Sequence, residues 1–305
     1  MNKTNVPFSG ESVPEAVLAS LAEQLATLTP ELRKAAAYVL ENPNDIGVSS
    51  IREIADAAEV KPNSFVRMAR AVGFEGYDDF REPFREEIRQ GSVSFPDRAR
   101  WLQSLARGGR LGGLYADMAS AAIRNVEQTF AYADARSLKA AADAIVEARH
   151  AYILGDGMNH ALARNFSYLA GMAMDRVEAI PREGRLAIDH LVRAGPGDIL
   201  LAMTFKPYRR DVVEAVEVAR GQGVAIIGIS DSLASPIVAG SAHGFVVQID
   251  TPQFFPSIAA AAALLETLMA FVIADAEPDV IASIERFHES RRALGIYREE
   301  GRSSS

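Results

Sequence analysis

Two hydrophobic rhythms divide this chain. Up to about residue 90 apolar side chains recur every three or four positions, the period of helices with one buried face. Val17, Leu18, Leu21, Leu25 and Leu28 predict a first helix. Thr29–Pro30–Glu31 predicts a restart, with Thr29 as N-cap, proline at the first helical position and an acid in the first turn. Leu32, Ala36, Val39 and Leu40 carry that second helix to a stop near Asn42–Pro43. Ser50-Ile-Arg-Glu53 is a capping box that opens a short helix through Ala58. Glu59–Val60–Lys61 makes a tight turn, and Pro62 starts a helix that ends at Gly73, with Phe74 as the apolar partner of the stop. Tyr77 to Gln90 is a further helical stretch, restarted or kinked at Pro83. Two short helices joined by three or four residues form a helix-turn-helix layout.

From residue 151 the rhythm changes to short, wholly apolar runs separated by helical patterns. Ala151–Leu154, Arg176–Ile180, Ile199–Met203, Val224–Ile229 and Phe245–Ile249 read as strands. Met158–Met174, Ala187–Arg193, Asp211–Arg220, Ser257–Ala274 and Val280–Leu294 read as the helices between and after them. That alternation predicts a doubly wound α/β domain with a mostly parallel sheet. Asp198 to Asp231 is its clearest unit: a strand buried on both faces, a polar turn, an amphipathic helix stopped by Gly221 and Gly223, and a second strand parallel to the first. Before it, Leu114–Phe130 and Ser137–Ala148 are two more helices, and Gly91–Gly113, with the single tryptophan at 101, reads as a partly helical connection. The resulting division is a loose tail at 1–13, helices over 14–91, a linker over 92–125, an α/β domain over 126–295 and a tail over 296–305.

Composition narrows the function classes. No apolar run is long enough to span a bilayer and the first residues lack a signal-peptide core, so a cytoplasmic location is expected. The chain has no cysteine, which excludes disulfides and thiolate chemistry. Its net charge of −8 argues against a protein that coats nucleic acid along its whole surface. Between Thr29 and Gln90 nine Lys/Arg face twelve Asp/Glu, so any DNA footprint there is a local one. The helix after the tight turn supplies it: Lys61, Asn63, Ser64, Arg67 and Arg70 with no acid among them, and Ser50 at the start of the preceding helix. A solvated face on a small bundle is the alternative.

In doubly wound sheets ligands bind beyond the carboxyl ends of the strands. Gly155-Asp-Gly157 lies at one such end and opens a helix, but the third glycine of a dinucleotide fingerprint is replaced by His160, so no nicotinamide cofactor is expected. A smaller anion at that helix start, with Gly157 and Asn159 as contacts, fits the same turn. The turn Thr204 to Arg210 follows the middle strand and holds Thr204, Lys206, Tyr208 and Arg209. Asp231 closes the next strand as a cap or as a cleft residue. The five histidines show no metal-ligand spacing, and no nucleophile has an adjacent base, so neither a metal nor a catalytic set is expected.

Taken with these motifs, LTPELRKAAAYVLENPNDI and SSIREIADAAEVKPNSFVRMARAVGFEGYDDFR, followed by ILGDGMNHALARNFSYLAGMAM, the 198–237 stretch and FFPSIAAAAALLETL, the chain resembles RpiR-type transcription regulators. These join a helix-turn-helix to a sugar isomerase (SIS) domain, and the resemblance spans roughly residues 15 to 290. It implies a three-layer SIS fold, a double-stranded DNA operator, a small anionic sugar-derived effector held by the SIS domain with Ser257 among its contacts, and a homodimer or tetramer. Two departures stand out. SIS sugar-phosphate sites place serines in the first glycine turn and a Ser-x-Ser-Gly-x-Thr run after the middle strand. Here Asn159 and Thr204-Phe-Lys-Pro-Tyr-Arg209 stand in those places. Lys61 also replaces the serine that commonly caps the recognition helix. The rival functions are an SIS-type isomerase with an appended helical domain, and a DNA-binding protein whose SIS domain only dimerises.

Overall fold

The computed structural model describes residues 13–89, 95–107, 109–274, 276 and 278–297. The chain divides into two compact units, Met1–Ala122 with Asp250–Ser257, and Ile123–Ile249 with Ile258–Ser305. The tail expected at 1–13 lies outside the described residues except for Val13, and that at 296–305 except for Ile296 and Tyr297.

In the first unit the helices are α1 (Val13–Gln24), α2 (Pro30–Glu41), α3 (Pro43–Val48), α4 (Ile51–Ala57), α5 (Pro62–Ala71), α6 (Tyr77–Arg89) and α7 (Phe95–Arg107). Leu21, Leu32, Val39, Ile46, Ile54, Phe65, Met68 and Phe80 meet in one core, the inward stripes of these helices. Phe65 packs edge-on against Tyr38 and Tyr77, with ring centroids at 6.4 and 5.9 Å. Thr29 takes the N-cap position of α2 but its hydroxyl makes no capping bond, so the start of α2 rests on Pro30. The short helix α3 is absent from the sequence pattern. Arg81, buried in α6, closes it by donating from Nε to the Ile46 carbonyl at 2.7 Å and from Nη2 to those of Gly47 and Ser49. That burial lowers the Arg81 pKa to about 10. The three accepting carbonyls are those a helix end leaves without partners, and a cation there also suits the helix dipole. Pro83 is accommodated within α6. In the stretch expected as a connection, α7 buries Trp101 and Leu105 against Val48 of α3.

The remaining elements are α8 (Leu111–Tyr132), α9 (Ala135–Glu147), β1 (Ala151–Gly155), α10 (Asn159–Ala170), β2 (Val177–Ile180), α11 (Ala187–His190), β3 (Ile199–Met203), α12 (Arg210–Gly221), β4 (Ala225–Ser230), β5 (His243–Val246), α13 (Ala259–Ala274) and α14 (Pro278–Ala293). Among the described residues the strands form one sheet in the order β2-β1-β3-β4-β5, every neighbour parallel. The pleat sends alternate residues to opposite faces. Ile153, Leu201 and Ile227 pack with α9, α10 and α13, whereas Tyr152, Leu154, Leu200 and Ile226 pack with α11 and α12. The two clusters give the three layers expected. β3 is fully buried along its length, as a central parallel strand must be. α13 starts two residues later than expected, so Ser257 stands before the helix, in the 250–257 segment of the first unit. No single described helix is long and apolar enough to cross a membrane.

Candidate functional site

In the helix-turn-helix the capping box forms as its residues predict. The Ser50 hydroxyl accepts from the Glu53 N–H at 3.2 Å, and the Glu53 carboxylate accepts from the Ser50 N–H at 2.7 Å. These bonds hold the Glu53 carboxyl below its ordinary range. α4 ends with Glu59 in the left-handed region at φ 53°, and the Val60 N–H reaches back to the Ala55 carbonyl at 2.9 Å. That is a Schellman stop with a glutamate where glycine is usual. The chain then turns into α5, where Lys61 sits at the N-cap without a side-chain bond. Phe65, Met68 and Ala69 face inward, with Val66 partly buried. Lys61, Asn63, Arg67 and Arg70 lie exposed on the other side, and Ser64 is half-buried. Arg70 donates to the Glu75 carbonyl at 3.2 Å and so braces the turn after α5. Ser50 is committed to its cap. Lys61, Asn63 and Arg67 have no side-chain partner among the described residues.

The second candidate site lies beyond the carboxyl ends of β1 and β3. Gly155 lets α10 begin hard against the sheet: a Cβ there would stand 2.3 Å from the Asn159 carbonyl oxygen. Gly157 follows at φ 58°, and a Cβ on it would lie 3.6 Å from Arg209 Nη1. The parallel register that pairs Gly155 with Met203 brings this turn beside the one after β3. Gly157, Asn159, Thr204 and Arg209 are thereby gathered.

Their side chains are largely committed. Asn159 is buried and donates from Nδ2 to the Met203 carbonyl at 3.4 Å, while its Oδ1 is buried without a partner. The Thr204 hydroxyl, also buried, accepts from the Arg209 N–H at 3.1 Å and closes its own turn. Arg209 grips Asp211 with two parallel bonds of 3.1 and 2.8 Å and reaches Asp156 with the same Nη2 at 2.5 Å. The bond from Arg209 drives the Asp211 carboxyl down to about 2. Asp231 neither caps a helix nor stands free: it accepts from the Lys206 N–H and the Ser230 hydroxyl, each at 3.2 Å. Tyr208 turns toward Asp231, and burial together with that charge pushes its pKa up. Lys206 is exposed, with no partner for its ammonium among the described residues. Ser257, expected with this set, is in the segment that groups with the first unit instead. The pairing of Asp156 with Arg209 escaped the sequence reading, whereas His160 was placed at this ligand edge from its position after the glycine turn. Asp156 is 53 positions from Arg209 and meets it only through strand pairing, and His160 bonds the Gly155 carbonyl through Nδ1 at 3.3 Å. Asp156 and His160 also edge an open cleft of about 850 Å³ between α10 and β2 that reaches Arg164 and Arg182. Among the described residues no group of three or more His, Asp or Glu could hold a metal ion.

Comparison with known proteins is decisive at this point. The helix-turn-helix domain of the rpiR family matches residues 15–91, and the SIS domain matches residues 144–274. The chain belongs to the RpiR family. It is a DNA-binding transcription regulator with an SIS domain. Similar proteins include an uncharacterized HTH-type transcriptional regulator of Caldanaerobacter subterraneus subsp. tengcongensis, 23% identical over 249 residues, 78% of this chain and 82% of that one. HexR of Pseudomonas aeruginosa is 22% identical over 229 residues, 73% of this chain and 76% of HexR. Among solved structures, Vibrio vulnificus NanR complexed with ManNAc-6P has the same fold at TM-score 0.54 and 20% identity, covering 91% of this chain and 98% of NanR. The sugar isomerase domain of an RpiR transcription factor from Sphaerobacter thermophilus gives TM-score 0.54 at 22% identity, over 58% of this chain and 98% of that domain.

Proposed function

We propose that this RpiR-family protein is a cytoplasmic, homo-oligomeric regulator whose operator binding is modulated by a small anionic sugar derivative, a phosphosugar or a sugar acid. Residues 14–91 read DNA, 92–125 connect, and 126–295 sense the effector. α5 enters the major groove with Asn63, Ser64 and Arg67 nearest the bases and Lys61 at a phosphate. Two-fold pairing of subunits matches paired half-sites.

One observation carries the effector reading: the buried, unpartnered Asn159 carboxamide oxygen at the N-terminus of α10. Such an acceptor costs about 1–3 kcal/mol until a donor reaches it, and a ligand hydroxyl is such a donor. The first N–H groups of α10 and the Lys206 ammonium suit the anionic end of the same molecule. NanR, of the same fold, was solved with ManNAc-6P, which supports a phosphosugar-like ligand here. We read the crevice as a binding site without isomerase chemistry, because the carboxylates that could serve there as a general base already hold partners. Asp156 and Asp211 are held by Arg209, and Asp231 by the Lys206 N–H and the Ser230 hydroxyl.

A thermal-shift screen of phosphosugars and sugar acids identifies the effector, since a ligand of the folded state raises the melting temperature by mass action. The hit is then titrated calorimetrically into wild type, Asn159→Ala and Thr204→Val. Weaker binding to Asn159→Ala is the expected result. Equal affinity in all three places the effector outside this crevice.

A further inference from the structure

A groove on the α11 side of the β2 edge has the opposite electrostatic design to the crevice. It encloses about 700 Å³ and is lined by His150, Tyr152, Arg182, Arg185, His190 and Arg193, among others. Its two acids are already satisfied from within. Glu178 accepts from Arg182 Nε at 2.8 Å and from His190 Nδ1 at 3.1 Å, and it stands 3.4 Å from His150 Nε2. Asp189 accepts from the Leu186 N–H at 2.9 Å. His190 is locked as well: its Nε2 accepts from the Arg182 N–H at 3.2 Å, which leaves the proton on Nδ1 for Glu178. The guanidinium groups of Arg185 and Arg193 are exposed and have no hydrogen bond or ion pair among the described residues. A chain of net charge −8 therefore converges unneutralised arginines on one concave surface. The wall beside them is aromatic, the His150 and Tyr152 rings lying 4.5 Å apart between centroids.

We propose that this groove binds a small phosphate ester, its dianion taken by Arg185 and Arg193 and its organic body laid against His150 and Tyr152. Guanidinium forks match phosphate oxygens in pairs, and a ring wall adds apolar contact without competing for the charge. The site is separate from the effector crevice. Tyr152 precedes Gly155 by three strand residues, about 10 Å along β1, and Tyr152 and Leu154 face α11 and α12. The inference does not depend on what the crevice binds.

The chain has five histidines, at 150, 160, 190, 243 and 288, which makes a site-resolved test practical. Full-length protein carrying ¹³Cε1-histidine is titrated with inorganic phosphate at pH 8, where the phosphate is largely dianionic, against chloride at matched ionic strength. Resonances are assigned from single His→Gln variants. The expected result is saturable movement of the His150 and His190 signals while His160, at the crevice, stays still. Arg185→Glu and Arg193→Glu, both at exposed positions, should each weaken that response at least about tenfold, the equivalent of one charge-assisted bond. Arg209→Ala, in the crevice, should leave it intact. Movement confined to His160, a response lost in Arg209→Ala, or linear drift that chloride reproduces (an adventitious ion only) each overturns the proposal. So does movement of His150 and His190 by duplex DNA at low salt when phosphate leaves them unmoved, which would make the groove a nucleic-acid surface.

Discussion

Helix α5 and the turn after β3 solve opposite problems. On α5 the buried half does the holding: Phe65, Met68 and Ala69 fix the helix from below, and Lys61, Asn63 and Arg67 have no side-chain partner among the described residues. In the turn after β3 the polar groups hold one another. Thr204 accepts from Arg209, Arg209 grips Asp211 and Asp156, and Asp231 restrains Lys206 through its backbone. A phosphate approaching α5 meets free donors, whereas an anion approaching the crevice must compete with carboxylates already in place. The first arrangement favours rapid, salt-sensitive encounter. The second makes binding conditional on hydrogen-bonding groups placed well enough to displace an internal partner.

The strongest way to break this contrast is to remove the support beneath α5. Phe65→Ala deletes a fully buried ring between Tyr38 and Tyr77 and should destabilise the helical unit by about 3–5 kcal/mol. A urea melt followed by circular dichroism would show an early transition for that unit, and an unchanged midpoint would mean that the core tolerates the void. Next, Arg67→Ala should weaken operator binding about tenfold or more, in keeping with about 1–3 kcal/mol for a good base contact. Its melting temperature should not move, because the side chain is exposed and makes no hydrogen bond or ion pair among the described residues. Gel-shift titration together with a melt separates the two effects. Ser50→Ala removes one half of the capping box and should cost about 1 kcal/mol of stability. Weaker operator binding should follow only through the looser α4, so rescue by Ser50→Asp, another good cap, distinguishes capping from direct DNA contact.

The smallest effect belongs to the crevice. The folded-state pKa of Asp211 is depressed to about 2, so its contribution is present above the ordinary carboxylate range and disappears as pH falls from about 4 towards 2. Arg209→Ala should flatten that part of the acid-unfolding curve slightly, the pair being half-exposed. A wild-type curve superimposable on that of the variant would show that the grip on Asp211 is not maintained in solution.

Much of this was readable from residue order because the signals are local. Ser50 with Glu53, Pro62 at the start of α5, Gly73 with Phe74 at its end, and the uniformly apolar β3 each specify structure within a few positions. α3 was not legible: six residues are too few for a period, and the helix is closed by Arg81 from more than thirty positions away. The crevice was legible as a place and not as a circuit. Strand order brings Gly157 and Thr204 to one edge, but only pairing of β1 with β3 reveals that Asp156 claims Arg209.

Arg98 carries a consequence for how the molecule is made. This arginine of α7 is almost fully buried, Nη2 donates to the Thr251 carbonyl, and the ring of Phe95 in the same helix meets that of Phe255 at a tilt, with centroids 4.5 Å apart. The segment that receives them leaves the ribosome some 150 residues after α7 does. At roughly 5–20 residues per second, α7 waits on the order of ten seconds with a desolvation-prone charge and no acceptor for it. The N-terminal unit is therefore not finished when its own stretch of chain is finished. It is completed from downstream, and a fragment cut at Ala122 would retain the lock and lack its key.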